Sequence, residues 1–124
     1  MLKMLDDYKD YAVVRTRDPK LLDTLEIVVD VGGVYDPKTD RYDHHQRSFN
    51  ESMSTVVPGA KWVTKLSASG LVYAHFGRRV IQAVSAIADG DPILDVLYNK
   101  IYAEFMEEYD GDSAFAPEPG LRLE

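Results

Sequence analysis

Short apolar runs near the start of the chain predict two β-strands. The first covers residues 11–15 and is followed by the turn signal Asp18-Pro19 and one short helical turn. The second covers residues 27–31, a nearly continuous β-branched run that Gly32-Gly33 ends. Such runs are typical of strands buried on both faces of a parallel sheet, so we expect Asp30 near the carboxyl edge of that sheet.

Residues 34–58 lose this periodicity and predict a long polar loop. Asp36-Pro37, Asn50 and Pro58-Gly59 interrupt the segment, which contains two of the three histidines. A loop of this length inside a compact domain is uncommon unless it is functional or disordered. We therefore expect any site of this chain to involve this segment.

The second half of the chain predicts two helices, near residues 66–88 and 92–109. Apolar positions recur there at spacings of three and four residues. Thr64 or Ser67 can cap the first helix, and Asp91-Pro92 can open the second. We expect an α/β fold with a partial parallel sheet flanked by helices, in one domain over residues 1–110, and an irregular tail over residues 111–124.

The composition narrows the chemistry that this fold can carry. With 124 residues and no cysteine, the chain has room for one core and must hold any metal with carboxylates and imidazoles. No stretch approaches the roughly 20 apolar residues that span a bilayer, so no membrane partner is expected. The net charge of −7 opposes non-specific nucleic-acid binding, although bound cations can neutralise an acidic site enough to hold phosphate.

The segment Asp43-His44-His45 provides the strongest candidate chemistry. It places one carboxylate beside two imidazoles, and Asp30 ends a predicted strand a short distance before it. These groups suit Mn²⁺, Mg²⁺ or Zn²⁺, although a solvated loop has the same composition. Because adjacent side chains of an extended chain point apart, we expect one imidazole to bind metal directly and the other to serve the substrate.

Cationic and amide groups on both sides of this segment could hold a phosphate. Arg41 precedes it, and Gln46 and Arg47 follow it. Surface ion pairing explains the same residues without a ligand. The third histidine, His75, lies on the apolar face of the first predicted helix and is expected to be a packed or surface residue.

Four blocks of the chain resemble successive blocks of the MYG family of metal-dependent hydrolases. They are residues 30–37 (DVGGVYDP), 41–49 (RYDHHQRSF), 65–73 (KLSASGLVY) and 75–77 (HFG). The resemblance runs from about Ala12 to Asp110. The MYG family is placed with the DHH phosphoesterases, which are two-metal phosphatases, pyrophosphatases and exonucleases, so the resemblance implies a sheet of the DHH type.

The resemblance also implies a role for individual residues. It makes Asp30 the carboxylate that bridges two metals, His44 a ligand of one of them, and Asp110 the last carboxylate ligand. His45 and Arg47 would then stabilise the substrate phosphate as catalytic residues. The expected ion is Mn²⁺, with Mg²⁺ or Zn²⁺ as alternatives.

Two departures from the family pattern reduce what is expected of this chain. The opening family motif, His-Asn-Gly-x-Phe-His-x-Asp-Glu, has no counterpart before Tyr11, and the family's Asp-Asn-Gly segment has none after Asp110. We therefore expect a fragment, a truncated gene model or a degenerate paralogue. Such a chain would hold one weak metal at most, and in-line displacement at phosphorus normally relies on two.

The resemblance implies a hydrolase of phosphoester bonds, acting on RNA in the 3′-to-5′ direction when intact, with weak or no activity in this chain. One alternative is a non-catalytic metal-binding or interaction fragment. Another is a hydrolase of small phosphates such as pyrophosphate, which the negative charge slightly favours. Exposed strand edges would permit self-association. Family members are associated with the nucleus and the mitochondrion, and the cytoplasm is the remaining intracellular alternative for a compartment that the sequence leaves unknown.

Overall fold

Three strands of two residues each form the sheet in the computed structural model, which describes residues 1–106 except the side chain of Phe105. They are β1 (Val28–Val29), β2 (Tyr35–Asp36) and β3 (Arg41–Tyr42), in the order β1-β3-β2. β1 pairs parallel with β3, whereas β2 pairs antiparallel with β3. The α/β class is confirmed, and the predicted parallel pairing holds for β1 with β3 but not for β2, so the sheet is mixed.

A tight hairpin accounts for the antiparallel pair. Tyr35 lies opposite Tyr42, and the Asp36 side chain accepts a hydrogen bond from the Lys38 N–H at 3.0 Å inside the turn. Asp40 closes the turn with a φ of +54°, a conformation that Asp tolerates better than most residues. The prediction of a continuous loop over residues 34–58 is therefore wrong. It missed β2 and β3 because strands of two residues are too short to produce a visible period in the sequence.

The predicted strand over residues 11–15 is also absent, since the structure gives residues 11–18 no regular secondary structure. The Tyr11 hydroxyl donates to the Glu26 carboxylate, and Lys3 donates to the Tyr11 carbonyl. Within residues 1–106 no strand lies beside this apolar run to pair with it. The short helical turn after it is confirmed as α1 (Pro19–Leu22), capped by Asp18.

The two long helices in the second half of the chain lie close to their predicted positions. After α2 (Met53–Val56), helix α3 (Ala68–Ser85) begins at Ser67, whose hydroxyl accepts a hydrogen bond from the Gly70 N–H. It ends earlier than predicted, at the left-handed Ala86. Helix α4 (Pro92–Ile101) is capped by Asp91 and continues as a π-helical turn over Tyr102–Met106. The rest of the predicted helix to residue 109 and the predicted tail over 111–124 lie outside the described residues.

A pair of tyrosines, one on each helix, holds α3 against α4. The rings of Tyr73 and Tyr98 stack with 4.7 Å between their centroids and 9° between their planes. Each hydroxyl donates to the carbonyl of the other residue, at 2.7 Å from Tyr73 and 3.2 Å from Tyr98. The rings are thus held at both ends. This pair anchors the largest part of the core, which also contains Tyr42, Met53, Leu66, Leu71, Phe76 and Tyr102.

Gly77 lies where α3 meets this tyrosine pair, and a Cβ atom there would stand 2.9 Å from ring atoms of both Tyr73 and Tyr98. We predict that Gly77→Ala lowers the free energy of unfolding by about 1–3 kcal/mol, because the held rings cannot yield to the new methyl group. Alanine is intrinsically better than glycine in a helix by about 1 kcal/mol, so helix propensity alone predicts the opposite sign.

Urea unfolding followed by circular dichroism measures this difference. Ala83→Gly at an exposed position of the same helix supplies the propensity scale without the packing change. A Gly77→Ala protein as stable as the parent, or more stable, would contradict the close packing.

Candidate metal centre

Parallel pairing of β1 with β3 brings two acidic residues to one edge of the sheet. The Asp30 N–H donates to the Tyr42 carbonyl at 2.9 Å, which extends the ladder to the ends of both strands. Asp30 follows β1 and Asp43 follows β3, so the two carboxylates emerge side by side. Asp30 is left-handed, with a φ of +69°, and this turns its side chain out of the strand alternation.

The Asp43 carboxylate organises the segment that follows it. One of its oxygens accepts the Gly33 N–H at 2.7 Å, and the other accepts the N–H groups of His44 at 2.8 Å and His45 at 3.3 Å. Gly33 presents its N–H from a φ of +71°, which a glycine adopts without strain. Asp43 is only 2% exposed, so these bonds replace solvent around a buried charge.

Hydrogen bonding outweighs burial in the ionisation of Asp43. Burial alone would raise the pKa of this carboxyl, but the Gly33 N–H and the His45 imidazole stabilise the ionised form and lower the pKa below its ordinary value. The carboxylate is therefore anionic at neutral pH and able to orient an imidazole.

Both adjacent imidazoles face the same carboxylate. Nε2 of His44 lies 3.1 Å from Oδ1 of Asp30, and Nε2 of His45 lies 3.8 Å from the same atom. The rings are 4.2 Å apart between centroids. The expectation that neighbouring side chains diverge is wrong here, since both rings lie within 4 Å of Asp30 while the backbone N–H groups of both histidines donate to the Asp43 carboxylate.

Asp30, Asp43, His44 and His45 together form a group of donors that could hold a metal ion. One donor atom from each lies within 4.8 Å of all the others. Donors on opposite sides of a divalent ion with bonds of about 2.0–2.2 Å stand about 4.2 Å apart, so small inward shifts would close a shell. Carboxylate oxygens and imidazole nitrogens are ligands for Mn²⁺ and Zn²⁺. The residues present therefore fit a divalent cation.

The His45 ring is oriented by Asp43 in the manner of a metal-binding histidine. Its Nδ1 lies 2.6 Å from Oδ1 of Asp43, which leaves Nε2 directed toward Asp30. A carboxylate that holds one ring nitrogen fixes the tautomer and makes the other nitrogen a better donor. The His45 side chain is 32% exposed, compared with 6% for His44, so a substrate can approach the cluster from the side of His45.

His75 braces the hairpin against α3 and stands apart from the cluster. Its Nε2 lies 2.7 Å from the Tyr35 hydroxyl, and its ring packs against Tyr42 with 5.4 Å between centroids. Burial lowers the pKa of His75, and burial raises the pKa of Tyr35 to about 12, so both groups are neutral at neutral pH. The expectation of a packed histidine is confirmed.

The remaining predicted site residues have different environments. Arg47 is exposed on the turn that follows His45, and Asp110 lies outside the described residues. Arg41 was suggested as a residue that donates hydrogen bonds to a phosphate, but its guanidinium is engaged by the protein backbone. Its guanidinium donates to five backbone carbonyls, those of Leu22, Leu25, Glu26, Thr39 and Asp40. This arginine ties α1 and β1 to the hairpin, so it is not a phosphate ligand.

Sequence reasoning noted Asp43 as a carboxylate beside the imidazoles but not as the residue that organises them. The available signal was Gly33, since a glycine pair after a buried strand marks a position with an unusual φ and an accessible N–H. Which acceptor that N–H would meet could not be foreseen. It depends on the register between β1 and β3.

The fold and the cluster define an α/β protein with a candidate divalent-metal site at the edge of its sheet. Within residues 1–106, no helix combines the length and the apolar character needed to cross a membrane.

The family model MYG1_exonuc, described as an uncharacterised protein family (UPF0160), matches residues 1–115, and this chain belongs to that family. The chain is 50% identical to the MYG1 exonuclease of Homo sapiens over 110 residues, which are 89% of this chain and 29% of the human protein. It is 44% identical to a MYG1 protein of Caenorhabditis elegans over 110 residues, 89% of this chain and 32% of that protein.

A similar likeness extends to yeast. The chain is 39% identical to a MYG1 protein of Saccharomyces cerevisiae over 112 residues, 90% of this chain and 31% of that protein. The chain therefore spans about a third of the length of the curated relatives that it matches. No solved structure matches it.

The cluster predicts one Mn²⁺ site that depends on His44. In calorimetric titrations, we expect the parent to bind one Mn²⁺ per chain, and His44→Ala and Asp30→Asn to weaken binding by about tenfold or more, because each removes a donor from a four-donor set. His75→Gln is the matched control, since it removes the one histidine outside the cluster.

Equal loss of binding in His75→Gln would mean that folding, not coordination, was lost. Absence of Mn²⁺ binding in a folded parent would contradict the assignment of the cluster as a metal site.

Proposed function

We propose that this chain carries the metal-binding part of a phosphoester hydrolase of the MYG type, within a sheet of the DHH phosphoesterase type. The observation that carries the proposal is the convergence of Asp30, Asp43, His44 and His45 within 4.8 Å, in a chain of the MYG1 exonuclease family. A cluster of mixed carboxylates and imidazoles at the end of strands is the arrangement expected for hydrolytic divalent-metal chemistry.

In this proposal Asp30 and His44 are metal ligands. Asp30 is accessible enough to bridge to a second ion, whereas His44 is nearly buried and held by its contact with Asp30. Asp43 positions His45 through the 2.6 Å contact to Nδ1. Asp110 is proposed as the remaining carboxylate ligand from its match to the family motif.

A divalent ion in this cluster would neutralise phosphate charge and lower the pKa of a nearby water molecule. His45 would then contact the phosphate or its attacking water, because its ring is both oriented and partly exposed. Arg47 follows two residues later on an exposed turn, from which its planar guanidinium could bind the non-bridging phosphate oxygens.

RNA degraded from its 3′ end is the proposed substrate of the intact protein, with Mn²⁺ as the proposed ion. Support for a nucleic-acid substrate comes from the mammalian relatives, which are named exonucleases. A small phosphate such as pyrophosphate is the alternative. The overall charge of −7 favours it, because a polymer carries many more negative charges toward the protein.

Weak activity is proposed for this chain by itself. With Asp30 and His44 as ligands from the cluster and Asp110 as the proposed third, the site can hold one ion but does not complete the shells of two. Two-metal hydrolysis uses ions about 3.5–4 Å apart to stabilise both the attacking and the leaving oxygen. A non-catalytic chain that binds one metal is therefore the alternative from a different class.

The activity test compares three substrates in the presence of Mn²⁺. We predict that the parent slowly releases nucleotides from short RNA and that EDTA abolishes this release. The rate of His45→Gln should be lower by about tenfold or more, because the oriented imidazole is lost. Lys100→Gln, at an exposed position of α4, should keep the parental rate. Pyrophosphate and a one-phosphate model diester are the comparison substrates.

Each other outcome favours one alternative. Hydrolysis of pyrophosphate without hydrolysis of RNA would support the small-phosphate function. A parent that binds Mn²⁺ but hydrolyses none of the three would support the non-catalytic chain and contradict the proposed activity.

We also propose self-association through the open edge of β1. Among residues 1–106, β1 pairs only with β3, so its other edge leaves backbone groups available. A cavity of about 550 Å³ is lined mainly by apolar side chains, among them Val13, Val29 of β1 and Val72 of α3. Val13 lines this cavity and remains 49% exposed.

This surface predicts a concentration-dependent dimer in light scattering. Val13→Lys should yield monomer, because a charge at the apolar edge opposes strand pairing. Val63→Lys is the control, since Val63 is 80% exposed and does not line the cavity. A parent that remains monomeric at all concentrations would contradict the proposed edge.

A further inference from the structure

A lysine is placed next to the candidate metal centre by a shared aromatic ring. Phe49 is 6% exposed and packs edge-on against His44, with 6.5 Å between ring centroids. The same Phe49 ring carries the ammonium of Lys65, whose Nζ lies 5.8 Å from the ring centroid. Lys65 is thus one aromatic ring away from a candidate metal ligand, although it is 16 residues beyond Phe49 in sequence.

The backbone at Lys65 is held in place by its pairing with the segment before α2. Lys65 forms an isolated antiparallel bridge with Ser52, and the following Leu66 N–H donates to the Glu51 carbonyl at 2.9 Å. Ser67, which caps α3, comes two residues later. The backbone of Lys65 is therefore held between α2 and α3, while its charged end is exposed.

Three arginines of this protein use their guanidinium groups in contacts within the protein. Arg78 pairs with Asp95, Arg79 pairs with Asp7, and Arg41 donates to backbone carbonyls. Lys65 has no carboxylate within ion-pair distance among residues 1–106, and its contact is the face of Phe49. An exposed cation–π contact contributes only about 0.5–1 kcal/mol, so it holds the ammonium in place without neutralising its charge.

From this placement we infer that Lys65 binds the phosphate next to the one held at the metal centre. The inference rests on the proposed function and adds a substrate-binding residue to the RNA site proposed there. A mononucleotide or pyrophosphate would be held by the cluster and Arg47 alone. A polynucleotide would extend a further phosphate past Phe49 toward the ammonium, in a protein whose net charge otherwise repels it.

A second contact between a lysine ammonium and an aromatic ring lies four residues before Lys65. Lys61 lies with its Nζ 5.9 Å from the ring centroid of the partly buried Trp62. Alternating ammonium groups and aromatic rings are typical of surfaces that follow a single strand. Small phosphates would gain nothing from either lysine.

The test is binding of a fluorescent phosphorothioate hexauridylate, which resists hydrolysis, to the full chain in Mn²⁺, with uridine monophosphate as competitor. We expect Lys65→Gln to weaken hexanucleotide binding by about threefold to tenfold, and to lower the slope of log affinity against log salt by about 0.7 for one lost contact to a single strand. The affinity for uridine monophosphate should stay within about twofold. Lys100→Gln is the matched control, because Lys100 is an exposed lysine on α4.

Three results would overturn the inference. A Lys65→Gln protein with unchanged hexanucleotide affinity and salt slope would show that Lys65 contacts no phosphate. Equal weakening of hexanucleotide and mononucleotide would place Lys65 at the metal-held phosphate. A parent that binds both ligands equally would show that no second phosphate is held.

None of these results decides the proposed function. Mn²⁺ binding that is lost in His44→Ala, together with hydrolysis of the one-phosphate diester, would sustain that function even where Lys65 plays no part.

Discussion

The parallel pairing of β1 with β3 is the constraint on which the candidate site depends. It aligns Val29 with Tyr42, so the next residue of each strand is a carboxylate that leaves the sheet at the same edge. A shift of one residue in this register would reverse the side-chain directions of β3 and separate Asp43 from Asp30. Arg41 protects the register, because its guanidinium binds carbonyls from α1, the segment just before β1 and the hairpin turn. The chemistry is thus set by backbone pairing between short strands.

A second layer of order comes from the Asp43 carboxylate. It gathers three N–H groups and one imidazole around a nearly buried charge, and these contacts convert an irregular loop into a defined turn. The core supports this turn from below. Phe49 packs against both Tyr35 and His44, while His75 holds Tyr35 from α3. Helix packing and ligand geometry are therefore mechanically connected through aromatic rings.

The sequence predicted the long elements and the location of the site better than it predicted the sheet. Helices α3 and α4 were recognised because apolar spacing and the caps Ser67 and Asp91 are local signals. The two-residue strands could not be recognised, since pairing partners distant in sequence define them. The segment 11–15 shows the opposite error, a strand that was predicted but did not form. Its β-branched residues indicate a strand, but the described chain offers no strand beside it to pair with. His44 and Asp30 were identified from residue type, whereas their approach depended on a register that local patterns do not encode.

The left-handed backbone of Asp30 explains why this position carries aspartate. A divalent ion would accept a glutamate oxygen equally well, but a residue with a φ of +69° costs about 1–2 kcal/mol unless it is glycine, asparagine or aspartate. Of these three, only aspartate supplies a carboxylate. A glutamate would also carry its oxygens one methylene farther, beyond the 3.1 Å approach to His44. The choice between two chemically equivalent acids is thus made by the peptide backbone and not by the ion.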